Sequence, residues 1–228
     1  LCFDFLYEPS GEVGGDLYDI VPLDGGRVGM LISDASGHGV AAAFIAVMVR
    51  MVFRSYGLQK SSPQAVFSAI NDELLRIVPP GQFATAFYGV YDREACELRY
   101  AGAGHPAPLM LRHGTDQVES VGPGGLVLGT LEDVEVREHT TAFRPGDRLV
   151  LYTDGVADAT NPHGERFGRE RLKTSVLAYR DVHGKQFLQA IEQDVLDFAH
   201  GHSPEDDITM VVAECVRDEE HERMWLGT

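Results

Sequence analysis

Positive charge is scarce in this sequence: 19 Lys and Arg stand against 35 Asp and Glu, a formal net charge of −16 over 228 residues. Nucleic-acid backbones are bound through an excess of Lys and Arg, so no nucleic-acid partner is expected, and multivalent cations fit the charge better. Cysteine is equally sparse. Cys2, Cys96 and Cys215 are odd in number and far apart, which matches neither a disulfide framework nor a zinc-ligand spacing and points to small core residues in a reducing compartment. No apolar run approaches the roughly 20 residues that span a bilayer, and no basic-then-apolar signal segment opens the chain. A cytoplasmic location without direct membrane insertion is the expectation. Linkers and internal repeats are also lacking, which gives one domain over 1–216 and a charged tail over 217–228. The chain opens in a strand without Met, so an upstream part is expected in the full-length protein.

What is present is a long alternation of strands and helices. Apolar and β-branched runs broken by "PSGE" and "LDGG" read as a β-meander at the start. From Val40 to about Tyr56, "VAAAFIAVMVRMVFRSY" is apolar almost all round and free of Gly and Pro, as in a helix buried between layers. It is read as core, too short to span a membrane. Ser62 and Pro63 then supply an N-cap and first helical position for a second helix to about Val78. Strands return from Phe83 to Tyr152, two more helices cover about Arg169 to Tyr179 and Gln186 to Ala199, and "DITMVVAECV" closes the domain as a strand. Strands, helices, strands, helices, strand is not a βαβ alternation, so the expected class is α+β, a β-sandwich with helices outside it.

Aspartates close several of the apolar runs. Asp16 follows "VGG", Asp34 ends "VGMLIS", Asp154 ends "RLVLYT", and Asp206-Asp207 precedes "ITMVVAEC". A carboxylate at the end of a buried strand is costly unless exposed, paired or ligated. Each alone reads equally as a turn residue or helix cap, and Asp34 is placed to cap the helix that follows. Their repetition points to a shared site for hard cations such as Mg²⁺ or Mn²⁺, which take oxygen ligands in octahedral geometry. Glycines beside them let the backbone approach such a site.

Six segments, "VGGDLYDI", "SDASGHGVAAA", "FATAFYGVYD", "YAGAGHPAPLML", "LVLYTDGVADATN" and "PEDDITMVV", resemble in order and spacing the bacterial metal-dependent, protein phosphatase 2C-like phosphatases of the stage II sporulation protein E and RsbU type. The resemblance covers about residues 1–216. It implies a four-layer α-β-β-α sandwich of two antiparallel sheets flanked by helix pairs, with two Mn²⁺ or Mg²⁺ ions at one end. It further implies that Asp16 bridges the metals, that Asp34 and the Ala35 carbonyl bind one, and that Asp154 binds the other, these three aspartates being the catalytic ones. Asp206 is favoured over Asp207 as the last ligand, with Asp207 orienting the ligand shell. The implied activity is hydrolysis of phosphoserine or phosphothreonine by a metal-activated water. The implied partners are a STAS-type anti-anti-sigma factor as substrate, an upstream sensor domain, and room for a homodimer. The two helices after Asp34 would regulate assembly of the site.

The sequence departs from the eukaryotic branch in having no clear phosphate-binding arginine near the first strand and no extended flap. Arg50, Arg54, Arg112 and Arg166 are the docking candidates, and His38 in "SGHGV", which matches the family's "GHG" element, reads as structural ahead of catalytic. No cysteine-nucleophile phosphatase signature and no strand-to-helix GxGxxG occurs. The rival reading is a catalytically weak regulatory or scaffold domain that binds a partner protein.

Overall fold

The computed structural model of the chain describes residues 1–57, 62–122, 124–132, 134–201 and 206–216; the tail over 217–228 lies outside them. One five-stranded sheet runs, in spatial order, β1 (Cys2–Glu8), β10 (Ile208–Glu214), β9 (Arg148–Tyr152), β6 (Leu109–Leu111) and β7 (Val118–Ser120). The other runs β2 (Asp16–Pro22), β3 (Val28–Ala35), β4 (Ala84–Asp92), β5 (Glu97–Ala103) and β8 (His139–Ala142). Every pairing is antiparallel.

Three apolar layers hold this sandwich. Met30, Ile32, Phe87, Leu149, Leu151 and Val211 fill the space between the sheets. On the outer face of the β2-to-β8 sheet, Leu31, Tyr88 and Val90 pack on α1 (Gly39–Gly57) and α2 (Pro63–Ile77). On the outer face of the other sheet, Val150, Tyr152 and Met210 meet α4 (Gly168–Ala178) and α5 (Gly184–Ala199). The expected α-β-β-α order is therefore the observed one. Alternate residues of each central strand serve opposite layers, which is why these strands are apolar on both faces.

Ser62 caps α2 as expected, its side chain accepting the Ala65 N–H, with Pro63 at the first turn. Helix α1 differs from expectation. Ala42, Ile45, Ala46, Val49 and Phe53 are buried against the sheet, but Val40, Phe44, Val47 and Met51 are 64%, 66%, 54% and 65% exposed. An outermost layer covers a helix on one side only, so the all-round apolar pattern does not mean burial between layers. At 19 residues α1 is also long and apolar enough, by length and composition, to cross a membrane, contrary to the reading that it is too short. Its inward face is nonetheless part of the sandwich core. Asp34 belongs to β3 rather than capping α1.

On α2, the 2% exposed Asn71 ties the helix to the segment that crosses the sheet end, donating to the Leu131 carbonyl at 2.9 Å and accepting the Gly129 N–H at 2.8 Å. Leu128, next to it, pairs with Ala84 of β4. Replacing Asn71 by Ala orphans a buried donor and acceptor, so a loss of about 1–3 kcal/mol is expected in urea denaturation; an unchanged midpoint would contradict this anchoring role.

Candidate functional site

The inward-facing rows of both sheets turn polar at the same end. In β3 the alternation Met30, Ile32 continues to Asp34, in β2 Ile20, Tyr18 continues to Asp16, and in β4 Tyr91, Phe87 leads through to Thr85. Across the interface, Leu149 and Leu151 are followed by Thr153, and Ala213 and Val211 by Thr209 and Asp207. Asp16 pairs directly with Asp34, and Asp34 with Thr85. Five strands thus deliver polar side chains to one end of an otherwise apolar interface.

Asp16 is the crossing point. Its Oδ2 accepts hydrogen bonds from Thr153 Oγ1 at 2.7 Å and Thr209 Oγ1 at 2.5 Å. Both threonines are fully buried and bonded to each other's backbone as well. A carboxylate of one sheet is therefore held by two hydroxyls of the other, while its Oδ1 is left to other partners. These threonines were not picked out from the sequence, although they fall on the same period-two rows as the apolar core.

Asp207 is spent differently. Its Oδ1 accepts from the Ser10 N–H at 2.8 Å and the Ser10 hydroxyl at 3.1 Å, and its Oδ2 accepts from the Gly15 N–H at 2.8 Å. It is buried and fastens the β1–β2 connection, whereas Asp206 is exposed and accepts the Asp207 N–H at 2.8 Å. Glycine is required on both sides of this clamp. A β-carbon at Gly14 would overlap the Asp207 carboxylate, and one at Gly155 would overlap its backbone carbonyl. Asp154 opens the short helix α3 (Asp154–Asp158), which begins against that carbonyl.

Electrostatics show how crowded the acids are. Burial, followed by repulsion from Asp16, Asp154, Asp206 and Asp207, pushes Asp34 up to about 8. Asp16 is pushed up to about 7 by burial, against the lowering effect of its two threonine donors, with Asp207 and Asp206 adding repulsion. Asp154 is raised by burial first, then by Asp206 and Asp158. Among the described residues Asp16, Asp34, Asp154, Asp206 and Asp207 have no Lys or Arg within ion-pair distance. Nor do any three acidic, His or Cys side chains close on a metal by themselves. An open set of carboxylates around a charge deficit suits a hard divalent ion that keeps several waters, as Mg²⁺ and Mn²⁺ do. The donors thus fit such ions, with the Ala35 carbonyl lying hard against Gly15 beside them.

The docking arginines separate by position. Arg54 grips the buried Asp19 of β2 through two bonds of 2.6 and 2.7 Å, and Arg50 lies 3.4 Å from the same carboxylate, so both fasten α1 to its sheet. Arg112 is bound to Asp147 at 3.0 Å, lining a cavity of about 510 Å³ with Arg148, Arg180, His183 and Glu214. Arg148 and Glu214 sit at the opposite ends of β9 and β10 from Asp154 and Asp207, roughly 20–23 Å away at about 3.3 Å per residue. Only Arg166 of the four is at the acidic end: its guanidinium holds both oxygens of Asp158 at 2.8 Å, and Asp158 is near enough to raise Asp154. His38 is exposed on the bend between β3 and α1.

Comparison with known proteins places this geometry. The chain is 30% identical over 161 residues to the phosphoserine phosphatase RsbP of Bacillus subtilis, an alignment covering 69% of this chain and 40% of RsbP. The chain thus spans less than half the length of that relative. The SiaA-PP2C domain of Pseudomonas aeruginosa superposes with a TM-score of 0.81 at 21% identity, covering 93% of this chain and 85% of that one. RsbX in complex with magnesium superposes with a TM-score of 0.67 at 13% identity, covering 92% of each chain. The model of the stage II sporulation protein E family matches residues 24–216, a span that takes in Asp34, Asp154, Asp206 and Asp207 but leaves Asp16 to be placed by the fold. With that match over most of its length, on a sandwich whose acids converge at one end, the chain belongs to the stage II sporulation protein E (SpoIIE) family.

Proposed function

We propose that this chain is a divalent-metal-dependent serine/threonine phosphoprotein phosphatase, and that its substrate is a phosphoserine or phosphothreonine on a STAS-type anti-anti-sigma factor. The observation that carries the reading is the convergence of Asp16, Asp34, Asp154 and Asp206 at one end of the sandwich without a basic partner. RsbP, named a phosphoserine phosphatase, supports the reaction, and RsbX with magnesium supports the cation.

The residues divide the work by what is left free on each. Asp16, with Oδ2 locked by Thr153 and Thr209, has Oδ1 to offer beside Asp34 and would help to hold both cations. Asp34 with the Ala35 carbonyl, and Asp154, would each hold one cation. Asp206 is the fourth carboxylate, because both oxygens of Asp207 are already engaged by the Ser10 and Gly15 donors. Two Mn²⁺ or Mg²⁺ ions held there would supply an acidified water and neutralise charge on the phosphoryl group. The water oxygen forms a bond to phosphorus as the bond to the Ser or Thr oxygen breaks, and a water proton ends on that leaving oxygen. Arg166, exposed at the same end, meets the substrate's phosphate or flanking acids.

Phosphate release from a phosphorylated STAS protein should require Mn²⁺ or Mg²⁺ and fall by roughly 100-fold or more in Asp34→Asn and Asp154→Asn, since each removes charge from the reacting end. Activity surviving both changes, or persisting in a chelator, would sink the mechanism. A binding-only domain would instead retain its partner in a pull-down while releasing no phosphate.

Folding raises the pKa of Asp16 and Asp34, so without metal the native state holds protons that the unfolded chain gives up from the ordinary carboxylate range upward. Stability from these groups is complete below that range and is lost as pH climbs through it toward their folded values. The melting temperature of the chelator-treated domain should therefore drop between about pH 5 and pH 8. Mn²⁺ should reverse the drop and Asp34→Asn should shrink it. An equal slope in the wild type and Asp34→Asn would refute this account.

A further inference from the structure

One buried imidazole stands beside the site without a role in the reading above. His105, in the connection after β5, is 4% exposed, and its Nδ1 lies 2.8 Å from Thr85 Oγ1. Thr85 is the β4 member of the polar row, directly across from Asp34, as Asp16 is on the other side. Side chains so paired share a face, with β-carbons about 5 Å apart. The segment carrying His105 is kept in place by a bridge between Gly104 and Ala86, next to Thr85.

The ring's other nitrogen faces the opposite sheet. Nε2 is sealed from solvent and lacks a well-aligned hydrogen bond. It lies toward the backbone of Tyr152, the residue before Thr153 and Asp154. Burial pushes the ring down to about 3, while the Tyr152 backbone works toward protonation, as a carbonyl facing a ring N–H does. A ring proton on Nε2, the nitrogen not shared with Thr85, leaves Nδ1 as acceptor and Thr85 Oγ1–H as donor. With its hydrogen committed to His105, the Thr85 oxygen presents only lone pairs toward the carboxylates.

We propose that Thr85 and His105 act as a positioning pair, in which His105 turns the Thr85 hydroxyl so that its oxygen accepts a hydrogen bond from a water of the cation's hydration shell beside Asp34. A hard ion keeps several waters, each with two protons to place. Asp34 and Asp16 are occupied as ligands, so a neutral acceptor next to them fixes the orientation of one water without adding charge. His105 acts through Thr85 and touches no reacting atom. The inference rests on the phosphatase reading and adds to it two residues, Thr85 and His105.

Valine has the shape of threonine without the hydroxyl, so Thr85→Val isolates the oxygen. Mn²⁺ titration by calorimetry should show a 10- to 100-fold weaker affinity in Thr85→Val, as for other groups that orient a metal's ligands. With p-nitrophenyl phosphate, kcat should fall while KM holds. Thr85→Ser should restore both. His105→Asn, whose side-chain oxygen can replace Nδ1 as acceptor, should lose less than His105→Leu, and adding His105→Leu to Thr85→Val should cost little more. Should His105→Leu not fold, Thr85→Val against Thr85→Ser decides alone. Unchanged Mn²⁺ affinity and kcat in Thr85→Val, alongside a metal-dependent wild type, would overturn the pair. A wild type with no metal-dependent activity would instead overturn the phosphatase reading.

Discussion

Asp16 is held by the opposite sheet, and much of this molecule is arranged around that fact. Two fully buried hydroxyls donate to one oxygen of a carboxylate that would otherwise be a desolvated charge among its own kind. The bonds do two things at once: they fasten the ends of the two sheets together, and they decide which oxygen stays free. Asp207 repeats the logic from the other direction. It leaves β10, reaches the β1–β2 connection, and fixes the backbone from which Asp16 departs. The apolar interior between the sheets sets the spacing, and these polar stitches at its rim set the orientation.

Much of this was legible in the residues. Runs of β-branched and aromatic residues gave the strands, Ser62 and Pro63 gave the start of α2, and the aspartates at strand ends gave the acids that the two sheets bring to one end. What escaped was of two kinds. Thr153, Thr209 and Thr85 are ordinary β-formers, and nothing in their chemistry marks them until the strands are paired; only then does their alternation with Leu151, Val211 and Phe87 show that they point at the acids. Residues 154–158 read as an Asp-Gly turn because a five-residue helix is shorter than any periodic signal.

Helix α1 shows a different limit. Composition registers that Val40, Phe44, Val47 and Met51 are apolar, but not which layer the helix occupies, and an outer helix leaves half its surface uncovered. Asp19, buried in β2, gripped by Arg54 and neighboured by Arg50, adds a polar anchor that fixes how the helix sits along the sheet. That ion pair joins the helix following Asp34 to the strand following Asp16, so the two carboxylates are mechanically linked on the outside of the sheet as well as by their pairing within it.

Strand order has a consequence for how the chain is made. All five strands of the β2-to-β8 sheet lie between residues 16 and 142, and with α1 and α2 they emerge from the ribosome before β9 and β10. The other sheet cannot close until β10, because β1 has no hydrogen-bonded neighbour except that last strand, with Cys2 opposite Glu214. At about 5–20 residues per second, β1 waits roughly 10–40 s as an unpaired apolar edge. Until β10 emerges the nascent chain carries Asp16 paired to Asp34 but without Thr209 or the Asp207 clamp. The site is therefore completed only once β10 has emerged, and a chain stalled or cut short of β10 would present a half-sandwich with an open strand to whatever chaperone or protease surveys it.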